Sequence, residues 1–149
     1  GFFYNPNIHP WDEYTRRREN VEKFSLIENI PVHYMEGFQQ ETWEGFRGGD
    51  EQRCRMCYAM RLDKAAEFAA ANGFDAFTTT LLVSPYQKHD LLKELGARMG
   101  EKHGVSFYYR DFRPGFRQGQ QKAREMGLYR QKYCGCIVSY NEAKSRIKK

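Results

Sequence analysis

The sequence predicts a three-layer α/β fold: a mostly parallel sheet with helices on both faces, Rossmann-like, in a single domain. Three observations lead there. Short runs rich in aromatic and β-branched residues alternate with longer amphipathic segments, strand then helix, along the chain. The connections are short, as parallel strands joined by crossover helices require. The 149 residues, with 11 Phe, 10 Tyr and 2 Trp, suffice for one domain with a sizeable core. Neither repeats nor a low-complexity linker breaks the pattern.

The first strand is expected at residues 1–4, stopped by the turn formers Asn5-Pro6-Asn7. Because the sequence opens inside that strand, the domain is expected to be N-terminally incomplete. Asp12 is expected to cap a helix running to about Phe24, and its Arg16-Arg17-Arg18 run reads as a solvated face. Residues 30–35 follow as a strand that Pro31 keeps towards an edge. One helical turn is expected at 41–46. Asp50 then caps a long helix over 52–71, with an apolar stripe of Leu62, Ala65, Ala66 and Ala69 and an Asn72-Gly73 stop. The third strand spans 74–80, followed by a loop to Pro85. A helix over 87–102 turns Leu91, Leu92, Leu95 and Met99 inward, and 105–109 forms the fourth strand. A basic loop at 111–119 leads to a short helix over 120–126 that Gly127 ends. After a loop at 129–136 comes a terminal helix over 138–149 with a basic tail. His9, His89 and His103 are isolated and read as surface or capping residues.

The four cysteines form two tight pairs, Cys54-Arg-Met-Cys57 and Cys134-Gly-Cys136. Thiolates one or two residues apart can reach one metal centre, because a helical turn or tight loop spans the gap. Two pairs supply the donors of a tetrahedral zinc or a cubane iron–sulfur cluster, and the spacing does not choose between them. An exchangeable disulfide and ordinary buried thiols are the other readings. Cys54, Cys57 and Arg61 share one helix face. With a helix start near Gln52, both thiols fall in the first turn, where free N–H groups favour anionic sulfur.

A formal charge of +5 and a pI near 9.0 favour anionic partners, nucleic acid first. No apolar run approaches a membrane span. Paired cysteines without a secretory segment read as cytoplasmic metal or redox chemistry. No Gly-rich phosphate loop, Ser–His–Asp order or His-Glu-x-x-His pattern occurs. In open parallel sheets, ligands bind beyond the carboxyl ends of the strands. That edge is expected to collect Asn5, Asn7, His33, Thr79, Thr80, Ser84, Arg110 and Asp111, with the Cys54–Cys57 pair facing the same crevice.

Several blocks then occur together: Phe2-Phe3-Tyr4-Asn5-Pro6-Asn7-Ile8 with Glu13-Tyr14 and Arg17-Arg18; Arg53-Cys54-Arg55-Met56-Cys57; Phe77-Thr78-Thr79-Thr80-Leu81-Leu82 with Ser84-Pro85; Asp111-Phe112-Arg113. The last runs Tyr129-Arg130-Gln131-Lys132-Tyr133-Cys134-Gly135-Cys136. From residue 1 to about 140 and in this order, they resemble the QueH-type epoxyqueuosine reductases. The resemblance implies an oxidoreductase that converts epoxyqueuosine at the tRNA wobble position to queuosine. It implies a 4Fe-4S cluster with an additional iron, to which Cys54, Cys57, Cys134 and Cys136 are the expected ligands. Partners would be tRNA, through its anticodon region, and an electron donor such as a ferredoxin or flavodoxin. The family's opening strand, adjacent cysteine pair and nearby aspartate have no counterpart in these residues, which fits an N-terminally incomplete member.

Within that reading, Asp111 and Tyr133 are the candidate proton sources, with His33 a third by placement. Asn5, Asn7, Thr79, Thr80 and Ser84 are candidates for neutral hydrogen bonds to the nucleoside. Arg113, Arg130 and Arg117 suit anticodon phosphates, and Tyr129 or Tyr133 suits stacking on an unpaired base. Two rival readings stand beside it. One is a non-catalytic RNA-binding module with a structural zinc held by the four cysteines. The other is a thiol redox enzyme using the Cys54–Cys57 pair.

Overall fold

Two strand–helix–strand passages organise the chain. In order, the elements are β1 (Phe2–Phe3), α1 (Trp11–Glu28), β2 (His33–Tyr34), α2 (Gln40–Glu44), α3 (Asp50–Ala71) and β3 (Ala76–Phe77). Then come a 3₁₀ turn (Thr80–Val83), α4 (His89–His103), β4 (Ser106–Phe107), a second 3₁₀ turn (Arg113–Gly115), α5 (Phe116–Glu125) and α6 (Ile137–Ile147). The computed structural model describes residues 1–147. The last two residues of the expected basic tail lie outside the described residues. Contacts divide the chain into two compact units, residues 1–48 with the chain from 122 onward, and residues 49–121.

The structure is mixed α/β with parallel pairing, as the alternation predicts. Among the described residues the strands pair as two separate two-stranded sheets, each a parallel pair joined through a helix. Phe2 lies opposite His33 and Phe3 opposite Tyr34 in the first; Ala76 lies opposite Ser106 and Phe77 opposite Phe107 in the second. The strands are shorter than their apolar runs. Pro31 has no N–H to donate upstream of β2, and beyond β1 the Asn5-Pro6 turn bends the chain away. A few ladder bonds outlast the strands, Met35 N–H to Phe3 O at 2.9 Å and Tyr108 N–H to Phe77 O at 2.8 Å.

In the unit built on β3 and β4, the predicted stripes meet. Tyr58, Leu62, Ala66 and Ala69 of α3 pack with Leu91, Leu92 and Leu95 of α4 over Phe77, Leu82 and Val105. Ala65 and Met99 line the same core, half-buried. The start of α3 differs from expectation. Asp50 is already helical, Gly49 holds the cap position, and Gln52 Oε1 accepts from the Gly49 N–H at 3.0 Å. Helix α4 lies directly on β4: a Cβ added at Gly96 would meet the Phe107 ring at 2.3 Å, and one at Gly100 the Val105 carbonyl at 2.6 Å.

In the unit built on β1 and β2, α1 starts after Pro10 without a side-chain cap, so Asp12 sits in the first turn rather than capping it. The helix also runs past Phe24 to Glu28 and stops at Asn29, which adopts a left-handed φ of 52°. Phe3, Ile8 and Tyr14 form its small core. Surface expectations are corrected at three places: Arg17 is buried rather than solvated, His89 is buried at the start of α4, and His9 is fully buried against Phe38 and Trp43, although it does cap, accepting from the Ile137 N–H at the start of α6. Helix α5 starts at Phe116, four residues earlier than expected, and shows no fully buried residue.

The α4–β4 contact gives a direct test. Gly96→Ala should destabilise the chain by about 1–3 kcal/mol through overpacking. Gly119→Ala, in α5 with nothing within 4 Å of its added Cβ, should be neutral or stabilising by up to about 1 kcal/mol. Thermal melts of the two variants read both signs.

Candidate metal centre and ligand cleft

The Cys134-Gly-Cys136 pair is positioned from below by α1. Glu13 and Arg17 are one helical turn apart, and Arg17 Nε donates to Glu13 Oε1 at 2.8 Å with both side chains under a tenth exposed. The rest of the guanidinium faces the loop before α6. One terminal nitrogen donates to Gln131 Oε1 at 2.8 Å and to Cys134 O at 3.1 Å, the other to Tyr133 O at 3.0 Å. The guanidinium also stacks over the Tyr133 ring, 5.1 Å from its centroid. Three carbonyl-type acceptors in four residues are thus met by one planar fork, geometry that lysine cannot supply.

From the other side, His9 pins the loop to the start of α6. Its Nδ1 accepts from the Ile137 N–H at 3.1 Å, which fixes a neutral ring whose Nε2–H donates to Pro6 O at 2.9 Å. Burial pushes the His9 pKa down, consistent with that neutral form. The His9 N–H donates to Gly135 O at 2.8 Å, and the Tyr133 hydroxyl donates to the His9 carbonyl. Gly135 has a φ of +136°, and a Cβ there would lie 3.2 Å from Asn7 Nδ2 and 3.3 Å from the Arg17 guanidinium. Only glycine suits both the backbone and the space.

The result is two sulfurs 3.9 Å apart, with Ser139 Oγ 3.0 Å from Cys134 Sγ and the Ser139 N–H 3.5 Å from Cys136 Sγ. The Cys134–Cys136 hydrogen bond, followed by burial of the sulfur, pushes the Cys134 thiol well above the ordinary range, although part of the residue remains open to solvent. With metal–sulfur bonds of about 2.3 Å in a tetrahedron, two thiolates on one ion sit about 3.8 Å apart. Spacing and donor softness both fit two ligands of one thiolate-rich metal centre. Buried Asn7 lies against this loop with its Oδ1 unpartnered.

Cys54 and Cys57 belong to the other unit, one turn apart on α3, half-buried and buried respectively. Since α3 begins at Asp50, they occupy its fifth and eighth positions. The expectation that they lie among the free N–H groups of the first turn is therefore corrected, and the macrodipole, which fades within that turn, gives them little. No disulfide joins any of the four cysteines. Among the described residues, no group of three or more His, Cys, Asp or Glu side chains gathers in metal-binding geometry. Each pair is thus described as two donors in its own unit.

The remaining predicted residues fall as follows. Asp111 is exposed and grips Arg113 through both carboxylate oxygens, at 2.8 and 2.7 Å, which holds its carboxyl at about 2. An acid that is ionised at neutral pH is not placed to donate a proton. Tyr133 spends its O–H on a carbonyl, and burial pushes its phenol up. His33 lies in β2, exposed. Tyr129 O–H donates to the Glu13 carboxylate at 2.9 Å, with Arg16 over its ring, so it braces the loop rather than lying free to stack. Arg130 is exposed, and Asn5 is half-buried beside buried Asn7. Thr79 Oγ1 accepts from the Leu81 N–H and Ser84 Oγ from the Tyr86 N–H, both at 3.3 Å. Thr78, Thr79, Thr80, Val83, Phe112 and Gly115 line an open, mostly apolar cleft of about 340 Å³. Sequence reasoning missed the buried Glu13–Arg17 pair, His9 and the Phe112 cleft. The i,i+4 Glu13–Arg17 spacing was the one available signal.

Comparison with known proteins now bears on the class. The family model described as epoxyqueuosine reductase QueH matches residues 1–142. A relative named epoxyqueuosine reductase QueH from Thermotoga maritima is 36% identical over 97% of this chain and 81% of its own length. One of the same name from Dehalococcoides mccartyi is 35% identical over 95% and 78%. A third, from Histophilus somni, is 34% identical over 95% of the chain and 61% of the relative. These matches define an enzyme of the oxidoreductase class. The chain belongs to the epoxyqueuosine reductase QueH family. No helix among the described residues is long and apolar enough to cross a membrane.

The Arg17 fork yields a prediction. Arg17→Ala should cost about 3 kcal/mol, because Glu13 loses its buried cation and keeps only the Tyr129 hydroxyl and the more distant, exposed Arg16. Arg17→Lys should retain more stability, yet speed proteolytic nicking within 129–136. Urea melts and limited proteolysis measure the two effects separately.

Proposed function

We propose that this chain reduces the epoxide of epoxyqueuosine at the tRNA wobble position to the alkene of queuosine, in the cytoplasm, with electrons drawn from a ferredoxin- or flavodoxin-like donor. Removing the epoxide oxygen takes two electrons and two protons and releases water. The observation that carries the reading is the Cys134–Cys136 pair, 3.9 Å apart in a loop held by Arg17 and His9, in a chain matching the QueH family over residues 1–142.

Cys134 and Cys136, together with Cys54 and Cys57, would hold a 4Fe-4S cluster or its additional iron. Such a centre, when bound, supplies single electrons at low potential and a Lewis-acidic iron. The protein's own residues orient and bind. Asp111 fixes Arg113 in a bidentate grip, and in this reading it presents that guanidinium to an anticodon phosphate rather than donating a proton. Arg130 and Arg117, both exposed, add cationic surface for the same backbone. Thr80 and Ser84 hydroxyls, with Asn5, remain the neutral groups suited to the nucleoside. Tyr133, Tyr129 and Asn7 shape the cysteine loop.

Anaerobic reconstitution followed by iron and sulfide analysis tests the centre. Wild type should take up both elements and show a visible band that bleaches with reductant, and the variant with all four cysteines changed to Ala should take up neither. Full incorporation by that variant would remove the cysteines from the site. One tightly held zinc, no iron and hairpin binding without turnover would instead favour the RNA-binding module.

A further inference from the structure

We infer that the cleft at the carboxyl ends of β3 and β4 is a stacking subsite for one unpaired base of a tRNA anticodon loop, with Phe112 as its platform. This rests on the tRNA reading above and adds to it a place and a residue.

Because β3 and β4 are parallel, the chain leaves both at the same edge, where open α/β sheets bind ligands. After β3 it supplies Thr78–Thr80 and Val83; after β4, Phe112 and Gly115. The wall of threonines is apolar for a reason. Thr78 Oγ1 donates to Tyr108 O at 2.8 Å and Thr79 Oγ1 accepts from the Leu81 N–H, so two hydroxyls serve the backbone. Phe112 meanwhile keeps 36% of its surface in water. The volume, about 340 Å³, lies at the small end of ligand sites, which run from about 300 Å³ upward. That suits one base with its sugar.

The complementary charge lies beside the ring. The Arg110 guanidinium lies over one face of Phe112, 6.0 Å from the ring centroid, which leaves the opposite face for a base, and Arg113 neutralises Asp111, the acid beside it. An aromatic platform with an arginine beside it is an arrangement by which proteins hold single-stranded nucleic acid: the face of the base stacks and the phosphate pairs. Another cleft of this unit, lined by Glu51, Arg55, Lys88, His89, Asp90 and Glu94 with Leu91, mixes both signs of charge, and its one ring is the polar His89 imidazole.

Fluorescence anisotropy with an anticodon stem-loop hairpin, at several salt concentrations, tests the subsite on the full chain. Phe112→Ala should weaken binding by about 5- to 150-fold, the worth of one stacked base, without changing the salt slope. Arg110→Ala should flatten that slope. Gly115→Leu adds bulk where an added Cβ meets nothing within 4 Å, so the fold should survive while the hairpin binds less tightly. Phe112→Trp should keep affinity and add emission that the hairpin quenches. Wild-type affinity in both Phe112→Ala and Gly115→Leu, with circular dichroism melts unchanged, overturns the subsite. If the wild type still turns over epoxyqueuosine RNA in that case, only the subsite falls. A wild type that neither binds nor turns over the hairpin defeats the tRNA reading, and the subsite with it.

Discussion

The cysteine loop depends on a single buried ion pair. The chain from Tyr129 to Cys136 forms no helix or strand, so its carbonyls lack the partners that regular structure would provide. Arg17 supplies them. Its Nε is committed to Glu13, which fixes the plane of the guanidinium, and the two terminal nitrogens then reach Gln131, Tyr133 and Cys134. A buried pair of this kind adds little net stability by itself, since desolvation offsets most of its attraction. What it adds is direction: removing either partner strands a charge, so the loop has one low-energy arrangement rather than several.

His9 completes that arrangement from the opposite side, and its neutrality matters. With Nδ1 accepting from Ile137 and Nε2–H donating to Pro6, each ring nitrogen has one role. A protonated ring would turn a donor towards the N–H at the start of α6, where the helix already presents positive charge. Burial between Phe38 and Trp43 makes the neutral form the favoured one. Gly135 is then forced, since its positive φ and the close approach of Asn7, Ile8 and Arg17 leave no room for a side chain. The glycine between the two cysteines thus follows from packing alone.

Much of this was legible in the sequence, for reasons of periodicity. The stripes Leu62–Ala66–Ala69 and Leu91–Leu92–Leu95 appear as cores because spacing of three and four reports one helix face. Parallel pairing is legible for a different reason: a helix between two strands carries the chain back to the edge where the first strand began. Strand length was not legible: apolar runs mark what is buried, while Pro31 and the Asn5-Pro6 turn decide how many N–H groups can pair. Arg17 was misread because a run of three arginines carries no sign of which one turns inward; that depends on Glu13 and on a loop more than a hundred residues later. His9 was misread likewise, since its aromatic surroundings come from Phe38 and Trp43. The cysteine positions are legible as pairs, but α3 starts at Asp50, two residues before the sequence signals it. That shift moves Cys54 from the third helical position to the fifth, out of the first turn, whereas Cys57 lies in the second turn with either start.

That displacement changes what can stabilise the thiolates. At the fifth and eighth positions of α3, Cys54 and Cys57 sit beyond the free N–H groups that would favour anionic sulfur. Cys134 and Cys136 fare no better alone: at 3.9 Å, ionising one sulfur opposes ionising the other, and the hydrogen bond between them favours retaining a proton. The Cys134–Cys136 pair is therefore not built as a reactive dithiol, which needs a lowered pKa in a cationic setting. Its two close sulfurs are an arrangement that a bound cation would relieve. A metal favours the doubly ionised form of such a pair and releases its protons on binding, so the 3.9 Å sulfur–sulfur distance that is unfavourable for free thiolates is the spacing that ligands of one ion would need.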